Sequence, residues 1–331
     1  MSSDNVLSFS RSENVVSADV KLTDSMILGF LEFHQIPEMS VPIHEMESLW
    51  LKHGLEQSFL DDIRPVNAFK RATRQAGMIN NIEIDYRGKK HEAKLLVRNV
   101  VIDHVQVLQH LIREVIISED EKPYYDSVGW MRFNRTNDCM DVGTFPGFEY
   151  EYNYQMILDN AQKLFEHFTA YHTRDTVRNL ITKVVNQSNP TPIMANSHGK
   201  FIPKTYVQRF AGLQSLVEEL REKYAPNTDC QVDLVPVVNT LKQRELFSRK
   251  AMIQLEDLAD NLMSEFAEYM KNRPKIKLEV AQRMVRDAQD LIRRTNEYEQ
   301  IMGVRMATIE QQLKQFVNIV NVASDEISHA S

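Results

Sequence analysis

The chain has 331 residues, 43% of them hydrophobic and 26% charged, with a formal net charge of −7. That length suits two or three packed bodies of about 100–200 residues each, and the net negative charge argues against a dedicated nucleic-acid coat. No apolar run approaches the roughly 18 residues of a membrane-spanning helix, and two isolated cysteines, Cys139 and Cys230, exclude a disulfide framework or a cysteine-rich zinc cluster, so a reducing, cytoplasmic setting is expected.

Residues 1–23 are polar, without sustained period and without the basic start and apolar core of a secretory leader, and read as a mobile tail. Met26 to Phe33 is short, apolar and aromatic, the first expected strand. Pro42 can open a helix at its first turn, with Ile43, Met46, Leu49 and Trp50 on one side and Gly54 ending it in a left-handed conformation. A second helix begins near Pro65. Pro65, Phe69, Ala72 and Ala76 define its apolar face, and Asn67, Lys70, Arg71 and Arg74 the opposite one. Ile82 to Tyr86 alternates, and Ala93 to Val101 follows after a turn carrying Arg87, Lys89 and Lys90, so the two pair as a hairpin. Helix, turn, helix and basic-tipped hairpin fit a winged nucleic-acid reader, and equally an ordinary small α+β body. From Arg64 to Arg98 nine basic residues face three acidic ones, about +6, which leaves about −13 for the remainder.

His104 to Ser118 admits a helix in its first half, while its β-branched end favours strand. Val128 to Phe133 and Cys139 to Gly143 flank a turn-rich loop as a second hairpin. From Glu149 the period becomes helical through Phe168, and a further helix starts near Thr173. A small hairpin at Ile193 to Ile202, a helix from Lys204 to Tyr224 and a strand at Val232 to Val237 make a second α+β unit. Thereafter the chain is helix, broken at Pro274. Leu278 to Val320 keeps a seven-residue repeat with Glu299 as its one charged intrusion, which predicts a continuous helix roughly 75 Å long paired with a shorter one. The expected fold is α+β: a tail at 1–23, a body at 24–148 with helix-turn-helix and hairpin, a small unit at 149–239, and a long antiparallel helical hairpin at 240–331. About a third of the longer helix would then stay uncovered, so Ile292, Met302, Met306, Ile309, Leu313 and Phe316 are candidate interaction residues, for a protein partner or a second copy.

Trp50 with Gly54-Leu55, the run Arg64 to Arg74, Gly199 to Pro203, Val235 to Val238, and Tyr298 to Gly303 together resemble an uncharacterised family found in bacteriophages, plasmids and other mobile elements of bacteria and archaea. The resemblance spans about residues 26–315. It implies an accessory role in such an element, and it carries no catalytic residue over.

The chemistry visible in the sequence is sparse. His167 and His172, five apart, fall on different faces of a helix, unlike a zinc-binding pair. Asp61 with Asp62 and Asp138 with Asp141 read as turn residues, Cys139 has no histidine at motif spacing, and no glycine-rich phosphate loop is present. No catalytic residue, metal ligand or cofactor is therefore expected. The favoured reading is a non-enzymatic binding protein that contacts nucleic acid through Lys70, Arg71, Arg74, Arg87, Lys89 and Lys90. An interaction protein working through the C-terminal helices is the alternative. An enzyme whose site is assembled from distant residues is the third.

Overall fold

The computed structural model describes residues 24–86, 88–116, 122–148, 153–194, 199–272 and 276–328. The expected tail at 1–23, Arg87 at the basic turn and the break at Pro274 lie outside them. In chain order the first elements are β1 (Ile27–Gln35), β2 (Ser40–Pro42), α1 (Ile43–Lys52), α2 (Pro65–Gly77), β3 (Ile79–Tyr86), β4 (Lys89–Ile102), β5 (Gln106–Ile116), β6 (Pro123–Asn134) and β7 (Cys139–Thr144). They are followed by α3 (Tyr154–Ala170), β8 (Tyr171–Thr173), α4 (Arg174–Asn186), β9 (Thr191–Pro192), β10 (Lys200–Pro203), α5 (Val207–Tyr224), β11 (Gln231–Val238), α6 (Leu241–Asn272), α7 (Leu278–Met302) and α8 (Ala307–Ser328). The class is α+β, as the sequence predicts, with no helix among the described residues long and apolar enough to cross a membrane.

Two units form, and they cut the chain differently from the expected boundaries at 148 and 239. One comprises residues 38–52 and 56–180; the other comprises the stretch up to Pro37, residues 53–55, and everything from Ile181 onward.

The first unit is built on an antiparallel meander, β3-β4-β5-β6-β7, curled into a half-barrel. Alternation makes one face apolar: Ile82, Ile84, Ala93, Leu95, Val107, Leu111, Val115, Met131 and Phe133 are buried together. α2 and α3 cover that face with Ala68, Phe69, Ala72, Tyr154, Leu158 and Phe165. The hairpin expected after α2 is present, with Ile82 opposite Ala93. β4 then continues into β5 from Ala93 opposite Val115 to Ile102 opposite Val107, so the hairpin belongs to a sheet and does not stand alone as a wing. α1 packs on the β2–β8 ribbon. Of the two readings open for this stretch, its geometry is the ordinary α+β body.

The second unit centres on β1, hydrogen-bonded between β10 and β11, in a sheet of order β11-β1-β10-β9. The expected helix and strand are thus completed by a strand from near the start of the chain, while β10 pairs with Thr191–Pro192, just ahead of the strand expected from Ile193, and residues 195–198 of the expected hairpin lie outside the described ones. Leu28, Phe201 and Val237 share a core with α6, α7 and α8.

The continuous helix expected from the repeat at Leu278 to Val320 is interrupted. Gly303, at φ +69°, caps α7 in the left-handed region, where glycine alone pays no Cβ penalty. α8 then packs back on α7 and α6, so the predicted two-helix hairpin is three helices. The heptad stripe survives the break because Met302 and Met306 lie either side of it and both are buried. Glu299, the charged intrusion, has a local role: its carboxylate accepts the Met306 backbone N–H at the start of α8. Thr295 likewise bonds within its own helix, donating to the Leu291 carbonyl at 2.8 Å.

Candidate functional site

α2 starts at Pro65, whose missing N–H costs nothing at this position. Arg64 is its N-cap, extended at φ −82° and ψ 118°, and supplies no side-chain cap; the first turn holds no acidic residue. Ala68, Phe69, Ala72, Thr73 and Ala76 form the buried stripe, and Gly77 ends the helix where a Cβ would lie 2.7 Å from the Val97 side chain. This packing turns Lys70 and Arg74, one helical turn apart, to solvent. Neither is engaged in an ion pair among the described residues.

Arg71 is different from its two neighbours. Its guanidinium lies 3.6 Å from the centre of the Phe168 ring, and Nη1 donates to Thr173 Oγ1 at 3.2 Å. Burial pulls its pKa below the ordinary value, opposed by the charge of Asp175. Its buried Nε has no hydrogen-bond partner.

His172 sits beside it. The β2–β8 pairing sets Val41 opposite His172 and buries the imidazole to 3% exposure. Burial first, and Arg71 second, lower its pKa to about 4, so the ring is neutral at physiological pH. Its Nδ1 is buried without a partner.

These groups share a cleft of about 320 Å³. Asp61, Asp62, Arg64, Asn67 and Arg71 line one side, and Phe168, His172, Thr176 and Asn179 the other, over an apolar floor of Ile63, Ala68 and Leu180. Asp61, Asp62 and Arg64 are exposed at its rim, whereas His172 is enclosed. Among the described residues no cluster of three or more metal-ligating side chains occurs here or elsewhere.

Of the six basic residues singled out in the sequence, Arg87 lies outside the described residues, and the other five fall on two separate elements. Lys70, Arg71 and Arg74 share one side of α2, over the inner face of the sheet. Lys89 and Lys90 stand at the β3–β4 turn, where Lys90 Nζ is 2.5 Å from Glu83 Oε1 and its pKa is raised by that hydrogen bond. Lys94 and Arg98, which swelled the segment's charge, point to the outer sheet face, with Glu114 opposite Lys94. Summing charge along the sequence merged two faces of one sheet.

The candidate interaction residues of the C-terminal helices have a different fate. Met302, Met306, Ile309, Leu313 and Phe316 are all buried, at 3% exposure or less, in the core of α6, α7 and α8. Ile292 is half-buried in an open polar groove with Tyr206, Arg293 and Glu297. Folding back at Gly303 covers the stripe that a continuous helix would have left bare.

Asp61, Asp62, Asn67 and His172 were passed over as site residues. Nothing local marks them, because their convergence depends on α2 packing against α3, about 90 residues further along the chain.

A model of a family of unknown function, DUF6744, matches residues 27–322. The chain belongs to that family. The match covers both units from β1 into α8 and brings no activity with it. No curated protein and no solved structure matches the chain. The cleft and the α2 face therefore have to be read from their own chemistry.

Proposed function

We propose that this chain is a non-enzymatic binding protein that contacts the phosphates of a nucleic acid through the outward side of α2. The observation carrying the reading is the pair Lys70 and Arg74, exposed one turn apart beside the half-buried Arg71 and free of acidic partners among the described residues. An accessory role in a phage, plasmid or other mobile element, and a location in the host cytoplasm, accord with such a protein and with the resemblance noted above. The basic turn at Lys89 and Lys90 is a weaker contributor, since Glu83 already engages Lys90.

Anisotropy of labelled single-stranded and duplex DNA and RNA, titrated with the full chain at several salt concentrations, tests the reading. Contacts from Lys70, Arg71 and Arg74 predict a logarithmic salt slope of about −2 to −3. Lys70→Glu combined with Arg74→Glu should abolish most binding at low salt while leaving the fold unchanged, both positions being exposed. Unchanged affinity in that variant would remove the proposal.

A further inference from the structure

We propose that the cleft beside α2 is a seat for a phosphate monoester, the charged end of a nucleotide or of an oligonucleotide, with Arg71 and His172 as its inner donors. This rests on the nucleic-acid reading above and specifies which part of the polymer the cleft takes.

Arg71 and His172 line one cleft, and each holds a buried nitrogen, Nε and Nδ1 respectively, without a hydrogen-bond partner. An unsatisfied buried donor is costly, and native proteins leave few of them. In the tautomer with its proton on Nδ1 the neutral imidazole is a donor there, and in that tautomer both atoms lack an acceptor. One anionic oxygen group satisfies both. The same cleft receives the start of α2, a 13-residue helix with no acidic residue in its first turn and no side-chain cap, where the helix dipole favours an anion.

The size and rim of the cleft select the kind of anion. At about 320 Å³ it is at the small end of ligand pockets, which run to roughly 300–1,000 Å³. A monoester enters end-on with three terminal oxygens, whereas an internal phosphodiester carries a chain on each side. Asp61 and Asp62 at the rim repel a polyanion laid across the opening. They can accept hydrogen bonds from the hydroxyls of a single sugar above the phosphate. Being exposed, they are screened by solvent, while the inner guanidinium acts in a less polar surrounding. A bound dianion opposes the burial and the Arg71 charge that hold the His172 pKa low.

The test uses the full chain with three versions of one single-stranded oligonucleotide, bearing a 5′-phosphate, a 3′-phosphate or only hydroxyl ends. Adenosine 5′-monophosphate and inorganic phosphate serve as competitors, and the His172 ring is followed by NMR. A phosphorylated end should bind about tenfold tighter than the hydroxyl form, as a charged hydrogen-bond pair predicts. Competition by the monophosphate should remove that advantage, and the His172 pKa should rise on adding it. His172→Gln should erase the end preference while the salt-dependent binding remains; Arg71→Gln should erase it as well and make the salt slope shallower by about 1, leaving the binding through Lys70 and Arg74. Equal affinity for all three oligonucleotides, with an unmoved His172 resonance, overturns the proposal even where polymer binding persists. Lys70→Glu with Arg74→Glu separates the two readings, because it should abolish polymer binding and keep monophosphate binding.

Discussion

Tyr298 and His172 are buried almost equally, at 2% and 3% exposure, yet their polar atoms have opposite fates. In the unit holding the C-terminal helices, Thr191 Oγ1 donates to the Tyr298 hydroxyl at 2.7 Å, and that hydroxyl donates to the Asn189 carbonyl at 2.6 Å. Nearby Glu297 accepts from Thr205 Oγ1 at 2.8 Å and from the Tyr206 hydroxyl at 3.0 Å. Apart from Asn189 Oδ1, the cluster leaves no buried atom unpaired, and it ties α7 to the turn after α4. In the unit holding the cleft, Arg71 and His172 keep buried nitrogens without hydrogen-bond partners. A satisfied buried cluster fixes a fold; an unsatisfied one facing a cleft has chemistry in reserve.

The comparison breaks first on pH. His172 titrates near 6.5 when unfolded and at about 4 when folded, so between those values the unfolded chain binds more protons. Stability in that unit is therefore full above pH 6.5 and is lost as pH falls toward 4, by up to about 3 kcal/mol and by about 2 kcal/mol at pH 5. Urea unfolding of the full chain at pH 7.5 and pH 5 reads this slope, and His172→Leu should flatten it. An unchanged slope in the variant would mean that the imidazole is not held neutral by its surroundings, and its contrast with Tyr298 would fail.

The satisfied cluster makes the next prediction. Tyr298→Phe keeps the ring in place and removes one oxygen, leaving the Thr191 hydroxyl and the Asn189 carbonyl buried without their partner. The expected cost is about 1–3 kcal/mol in the urea midpoint at neutral pH. Oligonucleotide binding should not change, since the tyrosine belongs to the other unit. A neutral effect on stability would show that this network does not hold the turn.

The sequence is informative where a pattern is local. The stripe of α2, the left-handed Gly54, the alternation of β3 and the β6–β7 hairpin all follow from residues within a dozen positions of one another. Long-range pairing is invisible to such patterns. β1 lies between strands about 170 and 200 residues away, and the cleft forms where α2 packs against α3, about 90 residues on. The basic segment illustrates a third failure: its charges are real, but strand alternation sends Lys94 and Arg98 to the face opposite α2. The C-terminal stripe misleads in the same way. Heptad spacing records which residues are buried, and it stays silent on whether the helix between them is continuous.

Gly303 decides that last point by the sign of one substitution. α7 ends within two turns of Tyr298, and the turn that ends it has φ +69° and ψ 29° at Gly303. A Cβ there would come no closer than 3.5 Å to Arg244 Nη1, so an alanine meets ample room and suffers only the left-handed backbone. Gly303→Ala should accordingly destabilise by about 1 kcal/mol, and Gly303→Asn, better suited to that region, by less. Were α7 and α8 one uninterrupted helix, the same alanine would replace a helix-interior glycine and stabilise by about 1 kcal/mol. Urea midpoints of the two variants against the parent chain thus distinguish a bundle folded back on itself, its stripe spent on its own core, from a long helix with apolar surface still to cover.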